Sequence, residues 1–358
     1  MFRAHNFSAG PAVLPVQVLE ETAEAVLNFN NSGMSIMEVS HRSKDFESII
    51  KEAQADCLKI MNLSAKDYDV LFLGGGASTQ FLMLAANFLN NSADYINTGI
   101  WAKKAIKEAK YIGKCNVIAN SEDKNHNYIP KSYNISQDAD FLHITTNNTV
   151  EGTEYKIIPN AGNIPLIGDM SSDIFSRVTD FSKFSLIYAG AQKNIGPAGV
   201  TLVVIKKEFL AKQKTGIATM LDYKLHIENE SMYNTPPCLP IFVVNRVFKW
   251  ILNQGLEMIQ HNNQNKAKIL YDIFDSYSDF YKAKVQGDDR SLMNVTFNLP
   301  TEELESKFVT VAKEKHNMTN LKGHRSVGGL RASIYNACPL ETVQTLADLM
   351  VEFYKENK

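Results

Sequence analysis

Short apolar runs alternate with helix-period segments along most of the chain, and this alternation limits the fold more than any other feature. The runs at 68–73, 115–118, 141–145, 165–168, 184–188 and 200–205 are each a few residues long and largely apolar. Amphipathic segments such as 78–90 and 102–110 lie between them. Apolar strands that take turns with helices predict an α/β fold, with a mostly parallel sheet covered on both faces. The run 200–205 follows 184–188 across a Gly- and Pro-containing loop too short for a parallel crossover, so one antiparallel strand is predicted. After residue 241 the texture changes to a long helical stretch toward 277, a strand at 292–299, a helix at 301–314, a strand at 331–334 and a last helix at 340–354. That α+β ending predicts a smaller second domain. The expected division is 16–258 for the large domain, with 1–15 and 259–358 forming the small one.

Composition narrows the function. At 358 residues the chain can bury a sizeable core without disulfide or metal staples. Lys plus Arg number 37 against 39 Asp plus Glu, a balance that argues against a nucleic-acid surface but leaves room for a local basic pocket. Cys57, Cys115, Cys238 and Cys338 lie far apart with no C-x-x-C spacing. That disfavours a zinc module and fits free thiols in a reducing compartment. The opening residues lack the apolar core of a signal peptide, and no apolar run reaches the ~18 residues of a membrane helix. The expectation is a cytoplasmic enzyme of small molecules, with no membrane, nucleic-acid or metal partner.

Three segments carry candidate chemistry. Leu71-Phe-Leu-Gly-Gly-Gly-Ala-Ser-Thr-Gln-Phe81 joins a strand to a helix through Gly74, Gly75 and Gly76. Glycines let backbone N–H groups approach a ligand, and a helix start adds free donors and a positive dipole end, a suitable cradle for a phosphate. The segment lacks both the G-K-[ST] ending of a P-loop and G-x-G-x-x-G, and a tight turn that binds nothing has the same composition. Asp169 ends an apolar strand in Ile167-Gly-Asp-Met-Ser-Ser172, where it could equally cap the strand. Lys193 follows another strand in a loop of small residues, Tyr188-Ala-Gly-Ala-Gln-Lys-Asn-Ile-Gly-Pro-Ala-Gly199, where it is either a desolvated amine or an ordinary surface lysine. A phosphate cradle, a strand-end acid and a confined amine, in that order, are the parts needed to hold pyridoxal 5′-phosphate.

At this point the chain resembles the phosphoserine aminotransferase family, within the class V aminotransferases of fold type I. The resemblance runs nearly end to end. It rests on Asn6-Phe-Ser-Ala-Gly-Pro-Ala-Val-Leu-Pro15, Gly33-Met-Ser-Ile-Met-Glu-Val-Ser-His-Arg42, the glycine turn, the Lys193 stretch, Tyr233-Asn-Thr-Pro-Pro237 and Gly323-His-Arg-Ser-Val-Gly-Gly-Leu-Arg-Ala-Ser-Ile-Tyr-Asn-Ala337. It implies a large domain on a mostly parallel seven-stranded sheet and a smaller α+β C-terminal domain. It implies that Lys193 carries the Schiff base, that Asp169 pairs with the pyridine nitrogen and that Trp101 stacks on the ring. Thr149 and Gln192 would contact the ring oxygen region or the phosphate, and Ala77 and Ser78 the phosphate. Asn234 and Thr235 would reach the phosphate of a neighbouring subunit, so a homodimer is implied. Some members carry an arginine in the glycine turn. This chain reads Gly-Gly-Gly-Ala-Ser-Thr, and that role does not transfer.

The proposed substrates, L-glutamate and O-phospho-L-serine, each carry two anionic ends. His41, Arg42, His324, Arg325 and Arg331 suit such a dianion, because guanidinium groups make two-pronged contacts with carboxylate or phosphate. For His41 and Arg42 a solvated helix start is the plain alternative. The resemblance implies transfer of the amino group between glutamate and 3-phosphohydroxypyruvate in serine biosynthesis, and the family's breadth adds 4-phosphohydroxy-L-threonine in pyridoxine biosynthesis. Alanine:glyoxylate transamination and cysteine desulfuration are the nearest rival chemistries, and a cofactor-binding regulator without catalysis is a rival of another class. A desulfurase needs a reactive cysteine, for which Cys338 is a poor candidate. His143, His226 and His261 receive no role.

Overall fold

The computed structural model describes residues 3–358; Met1 and Phe2, which open the expected 1–15 segment, lie outside the described residues. Seven strands form the central sheet: β1 (Tyr68–Gly74), β2 (Ser92–Asn97), β3 (Lys114–Asn120), β4 (Leu142–Thr145), β5 (Leu166–Asp169), β6 (Leu186–Gly190) and β7 (Val200–Lys206). Their spatial order is β1-β7-β6-β5-β4-β2-β3. Only β7 runs against its neighbours, pairing Val200 with Gly74 and Thr201 with Gly190, while the other pairs are parallel. The short loop between β6 and β7 thus gives the antiparallel strand its length predicts.

The strands are apolar throughout because both faces are covered. Val70, Phe72, Leu142 and Ile144 face a core shared with helices α1 (Val16–Asn28), α2 (Lys44–Met61) and α5 (Cys238–Gln254), whereas Leu71, Leu73, Tyr95 and Ile167 face a second core with α3 (Ala77–Phe88) and α4 (Ile100–Ile112). Strand β2 is absent from the apolar-run reading, and its residues explain why. Its sequence Ser-Ala-Asp-Tyr-Ile-Asn is half polar, yet all six residues are buried. Asp94 is satisfied inside by the Ser136 amide at 2.7 Å, the Ser136 hydroxyl at 3.0 Å and the Asn116 amide nitrogen at 3.0 Å. A buried carboxylate with three donors costs little, so the strand survives a polar sequence.

The helical stretch expected from 241 toward 277 is two helices. Gly255, at φ 78°, lies in the left-handed region and separates α5 from α6 (Leu256–Ser276). Ile259 near the start of α6 belongs to the first core, and Ala267 and Leu270 belong to a third. This third core is built by α6, α7 (Glu302–His316), α8 (Leu340–Asn357) and an antiparallel sheet of β8 (Lys282–Ala283), β9 (Asn294–Asn298) and β10 (Leu330–Ser333). Phe7 is buried in it, and His5–Asn6 pairs with Met318–Thr319, which ties the N-terminal segment to this end of the chain. The α7 helix has consistent local signals: Thr301 accepts from the Leu304 amide, acids fill the first turn and basic residues the last.

The arrangement places the carboxyl ends of β1, β4, β5 and β6 on one edge, so Gly74, Thr145, Asp169 and Gly190 lie along the same rim. In open α/β sheets this rim is where ligands bind.

Candidate active site

A cavity of roughly 360 Å³ opens at that rim, within the usual range for a small-molecule site. Its floor is the glycine turn between β1 and α3. Gly75 has φ 100°, a conformation L-residues rarely adopt, and its N–H donates to the Gly199 carbonyl at 3.1 Å, which ties the turn to β7. A Cβ at Gly74 or Gly76 would meet nothing within 4 Å. The space before the helix start is therefore open, and the first N–H groups of α3 have no partner within the helix. Ala77 and Ser78 line the cavity there.

Asp169 ends β5 between Thr145 of β4 and Tyr188 of β6. It is 4% exposed. Its hydrogen bonds from the chain both fall on Oδ1, from the Ser171 amide at 3.0 Å and the Ser171 hydroxyl at 2.6 Å. The same hydroxyl accepts from the Gly190 amide at 3.1 Å, so Ser171 joins the acid to the strand that leads to the lysine. Burial raises the Asp169 carboxyl above the usual range, and the Ser171 bonds and the Lys193 charge oppose that rise.

Lys193 lies three residues beyond β6, partly buried, and lines the same cavity as Asp169. Its Nζ donates to Thr149 Oγ1 at 2.7 Å and stands 5.8 Å from the centre of the Trp101 ring. Desolvation lowers its ammonium to about 8, helped by Arg331 and opposed by Asp169 and Asp173. Gln192 lines the cavity beside it, and the Gln192 carbonyl accepts from the Ala12 amide at 2.8 Å, which packs the N-terminal segment over this loop. Trp101 sits in the first turn of α4 with a buried Nε1 that has no partner among the described residues.

The structure thus brings Ala77, Ser78, Trp101, Thr149, Asp169, Gln192 and Lys193 around one cavity. Arg331 reaches its edge, where Nη1 donates to the Thr149 carbonyl at 3.3 Å. The other expected residues do not line it. His324 and Arg325 line a neighbouring groove of about 510 Å³, with His324 Nδ1 2.7 Å from the Ser326 hydroxyl. Burial and the nearby Arg331, Arg325 and Lys104 charges lower the His324 imidazole. His41 and Arg42 stand in the turn before α2, with Arg42 Nε 3.4 Å from His41 Nε2. Asn234 and Thr235 are exposed, and among the described residues the Asn234 side chain donates only to the Thr235 carbonyl.

Ser171 and Glu151 escaped the sequence reading. Ser171 was visible as a hydroxyl two residues after a strand-end acid, the spacing of a local side-chain-to-side-chain bond. Glu151 carried no such signal. His143 is a core histidine: its Nε2 lies 2.8 Å from the Tyr188 hydroxyl, its ring stacks on Tyr95 at 4.9 Å, and burial lowers it to about 3. Cys338 is 4% exposed and burial pushes its thiol up to about 11, which removes it as a nucleophile.

Comparison with known proteins gives the same direction. The family model described as aminotransferase class-V matches residues 4–346. The chain is 54% identical over 360 residues to the phosphoserine aminotransferase of Desulfatibacillum aliphaticivorans, covering 99% of each chain. It superposes on the solved phosphoserine aminotransferase of Bacillus circulans subsp. alkalophilus with a TM-score of 0.97, at 47% identity and 99% coverage of both. The pyridoxal-phosphate-bound phosphoserine aminotransferase of Trichomonas vaginalis gives a TM-score of 0.92 at 38% identity, covering 98% of this chain and all of that one. With the cavity, its amine and its acid in place, the match over nearly the whole length means that this chain belongs to the class V aminotransferase family.

Proposed function

We propose that the chain is a pyridoxal-phosphate-dependent phosphoserine aminotransferase, which exchanges an amino group between L-glutamate and 3-phosphohydroxypyruvate to give O-phospho-L-serine and 2-oxoglutarate. The observation that carries this reading is the meeting of Lys193, Asp169 and the open glycine turn at one cavity, in a chain about half identical to phosphoserine aminotransferases over its full length.

The residues fit the cofactor. The open space before α3 suits a phosphate, the buried Asp169 carboxylate suits a cationic ring nitrogen, and the Trp101 indole offers a ring face. Thr149 and Gln192 would hold the rim of the ring. When bound, the cofactor supplies an aldehyde for the donor's amine and a ring that accepts electrons as the α-proton leaves. The chain's own residues do the rest. With its ammonium lowered to about 8, Lys193 is partly uncharged at neutral pH, so its Nζ can take and return a proton. Thr149 fixes the position of that nitrogen. Ser171 holds Asp169 as a carboxylate against the effect of burial. Arg331, whose Nη1 donates to the carbonyl of cavity-lining Thr149, is assigned to a carboxylate of the substrate.

The remaining assignments follow as parts of the same reading. His41, Arg42, His324 and Arg325 are assigned to the anionic ends, and Asn234 and Thr235 to the phosphate in the neighbouring subunit of a homodimer. Support comes from Asn234 and Thr235 being exposed away from their own cavity, and from Met34 at 45% and Met37 at 60% exposure in the segment leading to His41. Large apolar side chains so exposed are suited to burial against a second copy. The division into 16–258 and 1–15 with 259–358 is supported by the change of core partner along α6. Four free cysteines support a reducing, cytoplasmic location.

The test is a titration of the cofactor-loaded protein. O-Phospho-L-serine and glutamate are expected to convert its absorption to that of the amine form at concentrations where serine and alanine do not. A preference for serine or alanine would reject the reading.

A further inference from the structure

Residues 147–154 form a tight hairpin: Asn147–Asn148 pairs with Thr153–Glu154, and the turn between them carries two side chains to different parts of the site. Thr149 goes to the Lys193 amine. Glu151 goes the other way and is 6% exposed. Its Oε1 accepts from the Ile100 amide at 2.8 Å, the first residue of the helix that presents Trp101. Its Oε2 is buried with no partner among the described residues. The carboxylate lies against the backbone there, since a Cβ on Gly99 would stand 2.5 Å from Oε2.

The charges that act on this carboxylate come from β10 and from the residue after β8. Burial raises the Glu151 carboxyl, and the Ile100 amide, Arg331 and Lys284 oppose that rise. Arg331 is tied to the same hairpin: its Nη1 donates to the Thr149 carbonyl at 3.3 Å, and its strand partner Thr296 donates its hydroxyl to the Glu151 carbonyl at 2.9 Å. Among the described residues the Arg331 Nε is buried without a partner. Lys284 spends its hydrogen bonds on the carbonyls of Val327 and Gly328, in the loop that carries His324 and Arg325. The Arg331 guanidinium therefore stands beside the Glu151 hairpin while keeping donors for another anion.

We propose that Glu151 is a positioning residue that acts through Arg331: its buried charge offsets the guanidinium while no substrate is bound, and thereby weakens the grip of the site on the substrate carboxylate. The inference rests on the aminotransferase reading and goes beyond it by naming a residue that sets substrate affinity without touching substrate. A negative charge behind a binding cation lowers the potential offered to an anion, and in a partly buried site such an effect is worth about a fivefold change in affinity.

The experiment compares Glu151→Gln holoenzyme with the unaltered holoenzyme. Glutamine keeps an oxygen for the Ile100 amide and removes the charge. The expected result is a KM for O-phospho-L-serine and glutamate lower by about fivefold, with kcat within about twofold, and no such gain in an Arg331→Gln background. An unchanged or raised KM, or a gain that persists without Arg331, overturns the proposal. A purely structural role at the helix start would instead raise KM and lower kcat together. Should the Gln variant not accumulate, Glu151→Asn against Glu151→Asp gives the same comparison at a shorter side chain, with the lower KM expected for Asn. Absence of turnover in the unaltered holoenzyme would refute the aminotransferase reading, whereas turnover with no charge effect would refute only the role of Glu151.

Discussion

Lys193 and Thr149 meet across 2.7 Å although they come from different loops. The hydroxyl accepts from the ammonium and so favours its charged form, while burial favours the neutral amine and brings the group to about 8. Only the neutral amine can attack an aldehyde. In the cofactor-free protein, the rate of cofactor capture is therefore expected to rise as pH climbs through 8. Thr149→Val removes the acceptor, lowers the amine further and moves that rise to lower pH. Lys193→Ala is expected to lose the visible absorption of the linked cofactor and to cut turnover by more than about a thousandfold. Stopped-flow absorbance across pH 6–10 measures both effects. A rise that stays in place in the Thr149 variant would show that the hydroxyl does not govern the amine.

Ser171 is the second control point. It gives Asp169 Oδ1 both of its hydrogen bonds from the chain and takes the Gly190 amide in return. Ser171→Ala keeps the amide bond and deletes the hydroxyl, so burial raises the Asp169 carboxyl further. Hydrogen bonds to charged groups are worth about 1.5–3 kcal/mol. The dissociation constant of pyridoxal phosphate, read by absorbance titration, is expected to increase by about ten- to a hundredfold. An unaltered constant would mean that the hydroxyl does not support the acid.

How much of this was readable beforehand depended on whether a residue's job is local. Lys193 and Asp169 follow strand ends, and strand ends in an alternating α/β chain share one rim, so their meeting could be inferred from order alone. Strand Val200–Lys206 could be oriented because a short loop permits only one direction. Ser92–Asn97 could not be found, since its polarity is resolved by Ser136 and Asn116, partners that no periodicity reveals. The break at Gly255 was hidden because apolar spacing continues across it into the next helix. Glu151 escaped for a similar reason. An acid in a turn normally faces water, and this one is buried because α4 and β9 pack against it.

The same hairpin explains a glycine. Gly152 has φ 86°, and a Cβ there would stand 2.5 Å from Thr296 Oγ1 and 2.9 Å from the Asn294 carbonyl oxygen. Both the backbone conformation and the close approach to β9 require its absence. Gly152→Ala is expected to cost about 2–4 kcal/mol in urea unfolding. Because the turn also carries Thr149, kcat should fall more than the residual folded fraction accounts for. An alanine variant with native stability and rate would show that the turn tolerates displacement.

His143 links the core of the sheet to acid sensitivity. Its imidazole is fully buried, bonded to the Tyr188 hydroxyl, and lowered from 6.5 to about 3. The unfolded chain binds a proton at this residue below about 6.5, whereas the folded chain stays neutral down to about 3. The unfolded state therefore holds more protons in that window, and stability falls as pH falls through it. Between pH 6.5 and pH 4 this single group is expected to remove about 3 kcal/mol. His143→Gln keeps a polar partner for Tyr188 and cannot titrate. Its stability at pH 7 should be somewhat lower, but its urea midpoint should decline less steeply toward pH 4. The difference between the two slopes isolates the histidine from the buried acids, whose titration is common to both proteins. Parallel slopes in the two proteins would mean that the imidazole is protonated in the fold well above pH 3, and that the Tyr188 contact does not hold it neutral.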